Sequence, residues 1–351
     1  MKSLVTVVTR FVLVVGLGFM AAQTAVAQYL APPAVATYSK TILADKPVAY
    51  YRLGEAPGST AAVDSSPSGL NGTYEGSPQL GVPGLINDPN TAVDFTNGDV
   101  LIDDNPALDF VSVPFSIEAW INATQFSAPI RRIFDKLSPC DCGPGYGLDV
   151  SSIDIRMLGD LELEAFPISL TSGTTYHVVG VSNGKGKGFI YLNGVLIKSG
   201  PYTDSAAYSG SAHIALASDG SSRFQGVIDE VAIYNKALPA GKILAHYSAG
   251  TGVKLSPKVL NFGKQMVGTT GPAKLVVLTN VNSGTLGISA IVATGDFTQT
   301  NDCPANLSTN AHCTISVFFT PTKRGFRLGT VSVTDNFPGS PQQVSLKGKG
   351  I

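Results

Sequence analysis

The sequence has little charge and very little glutamate. Charged residues make up 14% of the 351 positions, against about 25% in ordinary globular proteins. Only 6 of the 25 acidic residues are glutamate, and because aspartate favours turns over helix interiors, a helical bundle or coiled coil is excluded. With 44% hydrophobic residues the chain can bury a core, which excludes disorder. Glycine and proline are abundant instead, with 38 and 22 copies, as is typical of a turn-rich β-protein.

The first 27 residues have the pattern of a secretory leader. Lys2 and Arg10 supply positive charge, an apolar run covers residues 11–22, and Ala-Val-Ala at 25–27 resembles a cleavage site. As a helix, the apolar run is about 18 Å long, shorter than the roughly 30 Å core of a bilayer. We therefore predict a signal peptide at residues 1–27, a secreted or cell-surface protein, and no membrane span after cleavage.

Charge divides the mature chain into two parts. Residues 28–252 contain 13 basic and 22 acidic side chains, whereas residues 253–351 contain 9 and 3. This asymmetry predicts a domain boundary, with Ser248–Val253 as a linker. The lysines of the second part are scattered along the sequence and belong to no nucleic-acid-binding motif. We therefore expect an ordinary solvated surface there and no nucleic-acid partner.

The four cysteines form two local pairs, which in an exported protein predicts disulfides. A Cys303–Cys313 bridge would close a loop of about 11 residues and contribute roughly 2.5–3 kcal/mol by the loop-entropy relation. Zinc with His312 is the alternative, although the spacing fits no four-ligand set. A single residue separates Cys140 from Cys142. A strained disulfide, free or intermolecular thiols, and half of a metal site are therefore three alternatives for this pair.

Short apolar runs separated by turn-forming clusters predict an all-β sandwich. In the first part the predicted strands are Val48–Leu53, Ala92–Phe95, Phe115–Ile121, Tyr176–Val181, Phe189–Leu192 and Val227–Tyr234. One helix is predicted after Pro239, because Ile243, Leu244 and Tyr247 share a helical face.

The strand over Phe115–Ile121 has one apolar face and one face that carries Glu118, Trp120 and Asn122. An aromatic ring flanked by hydrogen-bonding groups suits a sugar, because the ring stacks on the apolar face of a pyranose. We therefore take Glu118, Trp120 and Asn122 as candidate carbohydrate-binding residues. The alternative is that a second layer of loops covers Trp120.

Residues 38–250 resemble the LamG-like jelly-roll domains of the concanavalin A-like lectin/glucanase superfamily. The resemblance rests on AYYRLGE (49–55), VDSSPSGLNGTYEG (63–76), FSIEAWI (115–121) and, most specifically, FQGVIDEVAIYNKAL (224–238). It implies two antiparallel sheets curved over one another, often a structural calcium, and glycan or protein binding. Tyr176-His177 departs from the pattern, since many relatives have Trp before this His.

Residues 253–351 resemble an immunoglobulin-like module of the choice-of-anchor D type, which is similar to the ASH-type domains of ciliary proteins. The segments that carry the resemblance include LSPKVLNFGKQMVGTTG (255–271) and GTVSVTDNFPGSPQQVSLKGKG (329–350). Alternation over Lys274–Thr279, Thr314–Phe319 and Gly329–Thr334 independently predicts sandwich strands.

A catalytic role is not predicted. Laminarinase-type enzymes place Glu, Asp and Glu at i, i+2 and i+5 on one strand, and no acidic triple here has that spacing. Asp160, Glu162 and Glu164 alternate with leucines and are interpreted as the solvated face of a strand. No GxSxG, HExxH or phosphate-loop motif occurs.

A calcium site is predicted at Asp64 and Asp229. Asp229 shares its parity with Val231 and Ile233, which predicts an inward carboxylate that needs a cation or hydrogen-bond donors. Asp64 lies in the turn-rich segment that matches an early acidic position of the resembled family, and two aspartates with backbone oxygens can hold Ca²⁺. Alternatively, Asp229 accepts backbone N–H bonds.

These observations together predict a secreted, non-catalytic protein that binds a glycan or a glycosylated surface through its jelly-roll domain. The first alternative is a structural or adhesive protein that binds extracellular protein without sugar. A glycoside hydrolase is the second.

Overall fold

The computed structural model describes residues 38–351, apart from 127–129, 140–143, 205, 283 and 338. The predicted leader and the pair Cys140 and Cys142 therefore lie outside the described residues. The protein is all-β, as predicted, with two α-helices and one 3-10 turn at Pro106–Leu108 among its described elements.

The first part of the chain is framed by two helices, α1 (Tyr38–Ala44) and α2 (Ala240–Thr251). Its strands are β1 (Ala49–Tyr51), β2 (Ala61–Ala62), β3 (Gly72–Gly76), β4 (Gln79–Pro83), β5 (Thr91–Asp94), β6 (Gly98–Ile102), β7 (Pro114–Ala123), β8 (Arg131–Leu137), β9 (Gly145–Val150), β10 (Ile155–Leu158), β11 (Leu163–Ala165), β12 (Thr175–Asn183), β13 (Lys187–Leu192), β14 (Val195–Pro201), β15 (Ala212–Ile214) and β16 (Gly226–Tyr234). Each of the six runs predicted as strands overlaps one of them.

These strands form two eight-stranded antiparallel sheets. The first sheet has the order β14-β13-β12-β7-β16-β5-β4, with β1 also paired to β16, and the second has the order β11-β10-β9-β8-β15-β6-β3-β2. The main core lies between them, and β7 contributes its predicted apolar face, Phe115, Ile117, Ala119 and Ile121, to that core. Strand β9 supplies Tyr146, Leu148 and Val150 from the opposite sheet.

A β-bulge in β16 changes which face Asp229 occupies. Asp229 pairs with Trp120 and Ala232 pairs with Glu118, so two residues of β16 oppose one residue of β7. The extra residue reverses the alternation, and Glu230 takes a positive φ of 54° inside the bulge. Asp229 therefore shares the face of Trp120 rather than that of Val231. The prediction that Asp229 faces the same core as Val231 is wrong. The extra residue of a bulge shifts the alternation of strand faces by one position.

Helices α1 and α2 cover the outer face of the first sheet. Tyr38 and Ile42 from α1, with Ile243 and Tyr247 from α2, form a second apolar layer around Trp120. Helix α2 was predicted, whereas α1 was not, because a helix of seven residues has too little periodicity and depends on tertiary packing. Neither helix has the length and apolar character required to cross a bilayer, nor does any other helix in the described part of the chain.

The C-terminal part is a sandwich of a four-stranded and a five-stranded sheet. Its strands are β17 (Val253–Ser256), β18 (Val259–Gln265), β19 (Lys274–Asn280), β20 (Leu286–Ala293), β21 (Phe297–Asn301), β22 (Asn306–Leu307), β23 (His312–Phe319), β24 (Gly325–Asp335) and β25 (Gln342–Gly350). The orders are β17-β19-β23-β21 and β18-β25-β24-β20-β22. A separate apolar core, which includes Val276, Ile315, Val331 and Leu346, lies between the two sheets.

The predicted linker Ser248–Val253 is not a flexible connection. Helix α2 continues through Thr251, and β17 begins at Val253. The single residue between them, Gly252, adopts the left-handed conformation with φ 70°. The Tyr247 hydroxyl donates to Gln342 Oε1 at 2.8 Å, and the Lys258 ammonium lies 4.4 Å from the centre of the Tyr247 ring. The two parts of the chain are thus joined through a packed junction.

Candidate functional site

Trp120, the centre of the predicted sugar-binding face, is fully buried. Its indole N–H donates to the Tyr38 hydroxyl at 3.0 Å, and its ring stacks on Tyr247 with centroids 5.7 Å apart. Helix α2 approaches so closely that a Cβ on Gly250 would come within 2.3 Å of the indole. The alternative that a second layer covers Trp120 is therefore the one the structure shows, and the covering layer is helical.

Glu118 lies beside Trp120 and is also buried, within a polar network. The Tyr234 hydroxyl donates to Glu118 Oε1 at 3.0 Å, and His246 Nδ1 lies 3.0 Å from Oε2. His246 Nε2 then contacts Asp45 Oδ2 at 3.1 Å, while His177 Nε2 is 3.7 Å from Glu118. This network joins β7 and β16 to both helices.

Charge and burial oppose each other in this network. Burial disfavours a charged Glu118, but His246 and His177 outweigh it and hold the pKa of Glu118 below its ordinary value. Burial also disfavours a charged His246, yet Glu118 and Asp45 raise the pKa of His246. For His177, burial dominates and lowers the pKa. Glu118 and His246 are thus bonded to each other in a buried network that joins the helices to the sheet.

Asn122, the third predicted residue, lies at the half-buried end of the same strand face. Its side-chain amide donates to the Gly173 carbonyl at 3.2 Å and to Thr175 Oγ1 at 3.1 Å. The prediction of an open carbohydrate-binding face at Glu118, Trp120 and Asn122 is thus wrong, because helices occupy the space that a sugar ring would need.

Asp64 and Asp229, the predicted calcium ligands, have different surroundings. Asp64 accepts four hydrogen bonds, from the backbone N–H groups of Tyr50, Ser66 and Leu70 and from the Ser66 hydroxyl, all at 2.8–2.9 Å. A carboxylate offers about four lone-pair sites, so these donors leave none for a cation. Asp64 does not fit a calcium ligand.

Asp229 retains one oxygen that could serve a cation. Its Oδ2 accepts from the Leu85 N–H at 2.8 Å, whereas Oδ1 is buried without a hydrogen-bond partner among the described residues. Burial and the neighbouring Glu230 raise the pKa of Asp229 well above its ordinary value. Arg52 already bridges Glu230 and Asp88, at 2.9 and 2.7 Å. Calcium binding at Asp229 stays a prediction, without Asp64 as a shared ligand.

Cys303 and Cys313 form the predicted disulfide, with Cα atoms 5.0 Å apart. The bridge consumes both thiolates, so the zinc alternative for this pair is wrong, although Asp302 lies nearby. Cys140 and Cys142 lie outside the described residues, and the alternatives for them stay open.

Sequence reasoning missed a row of charges on the outer face of the second sheet. The strand register places Glu164, Arg156, Asp149 and Arg132 side by side on β11, β10, β9 and β8. We call these four residues the charged row. The sign alternates at each step, and the inner faces of the same strands carry core residues such as Leu148. Single strands show the alternation of charge with apolar residues, but only the register reveals the row.

Arg156 is the residue of the charged row that combines tight bonding with access to solvent. Its Nε and Nη2 bond the two oxygens of Asp149 at 3.1 and 2.7 Å, and Nη1 lies 3.4 Å from Glu162. Its side chain is 19% exposed, whereas Asp149 is buried. Burial raises the pKa of Asp149 to about 6, although Arg156 and Arg132 oppose that shift. The buried carboxylate thus fixes the guanidinium at the surface.

A second polar cluster continues the same face. Asp99 on β6 contacts His213 Nδ1 at 3.2 Å and Arg223 Nη1 at 3.1 Å. His213 is paired with Asp135 of β8, whose carboxylate accepts from the Ser218 hydroxyl at 2.5 Å. Arg223 is 32% exposed and presents guanidinium donors at the surface, where His213 is 14% exposed.

A cleft beside helix α2 lies away from this face. It measures about 440 Å³ and is lined mainly by small and aliphatic groups of α2, β17 and Val281. Such walls suit an apolar group better than a polyhydroxylated one, so the cleft is the weaker candidate for a sugar.

Comparison with known proteins supports the jelly-roll assignment for part of the chain. Residues 94–244 match the Laminin_G_3 family, described as concanavalin A-like lectin/glucanases superfamily. No curated protein sequence matches. The immunoglobulin-like assignment of residues 253–351 stays a prediction.

Similar solved structures include domain 4 of AbnA, a GH43 extracellular arabinanase from Geobacillus stearothermophilus, in complex with arabinotriose. It is 17% identical, covers 57% of this chain and 98% of its own, and has a TM-score of 0.45. The binding domain of botulinum neurotoxin DC in complex with rat synaptotagmin II is 15% identical, covers 86% and 73%, and also has a TM-score of 0.45. No functional conclusion follows from similarities at this level.

Proposed function

We propose that the protein is a secreted, non-catalytic binding protein whose jelly-roll part recognises carbohydrate at the charged row. The observation that carries this proposal is the alternation of sign along the row. Arg132 and Asp149 are buried, so a ligand would contact the accessible members of the row, the cation Arg156 and the anion Glu164. A neutral ligand with many hydroxyl groups can bond to both of them, because a hydroxyl can both donate and accept.

The cluster around Asp99 extends the same surface. Arg223 adds donors to those of Arg156, His213 adds a ring nitrogen, and the buried Asp99 holds both side chains in fixed orientations. A ligand that meets preorganised donors loses less entropy on binding than one that must order them. The alternative is an adhesive protein that binds no sugar. No feature of this face favours that alternative to the same degree.

The bonding of Asp149 supports a binding role over a hydrolytic one. A general acid or base must reach the proton that it transfers within hydrogen-bond distance. Asp149 has a raised pKa, but it is buried and both of its oxygens are bonded to Arg156. The C-terminal sandwich, which we interpret as the immunoglobulin-like module, serves in this proposal as a spacer or protein-contact unit.

The decisive experiment is a glycan array followed by titration of the best-bound glycan. We expect Arg156→Lys to weaken binding by about tenfold or more, because lysine keeps the charge but loses the planar fork that bonds two partners at once. Glu164→Gln tests the exposed end of the row. Lys198→Ala, an exposed change on β14 of the first sheet, is the matched control and should bind like the wild type.

Failure of the wild type to bind any glycan, with and without calcium, would reject a carbohydrate ligand. Equal binding by wild type and Arg156→Lys would place the ligand elsewhere on the molecule. Release of reducing sugar from a bound glycan would contradict the non-catalytic role.

A further inference from the structure

Five basic residues that are scattered in the sequence converge at one end of the C-terminal sandwich. Lys349 of β25 pairs with Lys264 of β18 on one side and with Phe326 of β24 on the other. Lys347 lies two positions earlier on the same face, next to Leu328. Lys323 and Arg324 belong to the exposed turn that leads into β24. We call these five basic residues, with Phe326, Leu328 and Met266, the basic tip.

The basic tip also exposes large apolar side chains. Phe326 is 82% exposed, Leu328 76% and Met266 61%, the highest values among the large hydrophobic residues of the described chain. The Lys349 ammonium lies 5.3 Å from the centre of the Phe326 ring, so cation and ring belong to one surface. The Val267 N–H donates to the Ile351 carbonyl, which brings the Met266 turn to the same end.

Acidic groups do not neutralise this surface. The C-terminal part has only three acidic residues, Asp296, Asp302 and Asp335. Asp296 is held by Arg327, whose Nε lies 2.5 Å away, and Asp302 accepts from the Thr314 N–H. Asp335 accepts from the Phe337 N–H, beyond the other end of β24. The five cations of the basic tip therefore keep a net positive charge.

The position of the basic tip suits an attachment surface. Strand β25 runs from Gln342, which contacts Tyr247 at the junction with the jelly roll, to Gly350 at the tip. Its nine residues separate the two ends by about 26 Å at roughly 3.3 Å per residue. A partner at the tip thus leaves the charged row of the jelly roll free.

We propose that the basic tip docks onto an anionic phospholipid surface. Charge complementarity selects an anionic partner, since basic residues near a membrane are attracted to its negative surface potential. The exposed Phe326 and Leu328 select a bilayer over a soluble anionic polymer. Such side chains gain free energy by entering the headgroup region, whereas a polyanion offers them no apolar contact. This surface is independent of the carbohydrate site.

The test is co-sedimentation of the purified full chain with vesicles of phosphatidylcholine alone or of phosphatidylcholine with about 30% phosphatidylserine. Binding is measured at low and at physiological salt. We expect binding only to the anionic vesicles. Phe326→Ser/Leu328→Ser and Lys347→Glu/Lys349→Glu should each weaken it by about tenfold or more. Val292→Ser, which removes an exposed apolar residue of the same sheet away from the tip, should bind normally. Thermal melting of each variant confirms that the fold survives.

Absence of binding to anionic vesicles at low salt would overturn the proposal. So would binding that persists in Phe326→Ser/Leu328→Ser, because attraction of charge alone would then suffice. Retention on heparin that requires Lys347 and Lys349 but not Phe326, without vesicle binding, would overturn it in favour of an anionic polymer.

Discussion

The two parts of the chain use charge in opposite ways. Among described residues, the jelly roll buries ten Asp, Glu, Lys and Arg residues, whereas the C-terminal sandwich buries Lys258 alone. The jelly roll covers most of its aromatic residues, Phe166 being an exposed exception, and Trp120 lies beneath two helices. The sandwich instead leaves Phe326 and Leu328 in solvent.

The difference shows where each part holds its specificity. Partners that compensate the desolvation of a buried charge also become fixed by it, and several charges inside the jelly roll act in this way. Asp149 orients Arg156, and Glu118 ties both helices to the sheet. The sandwich relies on an apolar core and a disulfide, which constrain its outer surface far less. Its chemistry lies in what it exposes.

The largest expected effect is at Glu118. Glu118→Ala leaves His246 and the Tyr234 hydroxyl without their buried acceptor, and breaking a buried pair costs about 3–5 kcal/mol. Urea denaturation followed by tryptophan fluorescence measures the free energy of unfolding, because Trp120 lies beside the change. The control is Asp296→Ala in the sandwich, whose partner Arg327 reaches solvent and can be rehydrated. A loss at Glu118 no larger than that at Asp296 would contradict the contrast between the two parts.

Much of the architecture could be predicted from local patterns. Alternating runs such as Phe115–Ile121 and Thr314–Phe319 are strands, and the spacing of Ile243 and Tyr247 marks a real helix. The pair Cys303 and Cys313 could be predicted because the two residues are close in the chain. Each of these signals is local in sequence.

The site could not be predicted in the same way, because it depends on non-local pairing. A single strand does not reveal that helices cover Trp120, since α1 is short and lies 82 residues away from Trp120 at Tyr38. The bulge at Glu230 reverses the face of Asp229, and no turn-forming residue in the sequence indicates that bulge. The charged row and the basic tip exist only once the register brings distant residues together.

A smaller effect is expected at Asp64. Asp64→Ala removes the acceptor of four donors, and unsatisfied buried donors cost about 1–3 kcal/mol. We expect the same loss with excess calcium and with a chelator, because the donors rather than a metal satisfy this carboxylate. Thermal melting in both conditions measures it. A wild-type melting temperature that falls in chelator, together with an Asp64→Ala variant that no longer responds, would show that Asp64 is a calcium ligand.

The smallest effect tests Lys258, the one charged residue that the sandwich buries among its described residues. Burial lowers the pKa of Lys258 to about 8, against 10.5 for an ordinary lysine, and Asp335 only partly opposes the shift. Between these values the unfolded chain binds more protons than the folded one, so stability rises with pH, by at most about 1.4 kcal/mol per unit. Lys258→Met removes this slope and should be the more stable protein at pH 7. From pH 7.5 to 9.5 its advantage over the wild type should shrink by about 1–2 kcal/mol. Lys254→Met, at an exposed neighbour, should show no such change. A constant difference between Lys258→Met and wild type would mean that Lys258 keeps its proton in the folded state, and that the sandwich, like the jelly roll, compensates the charge it buries.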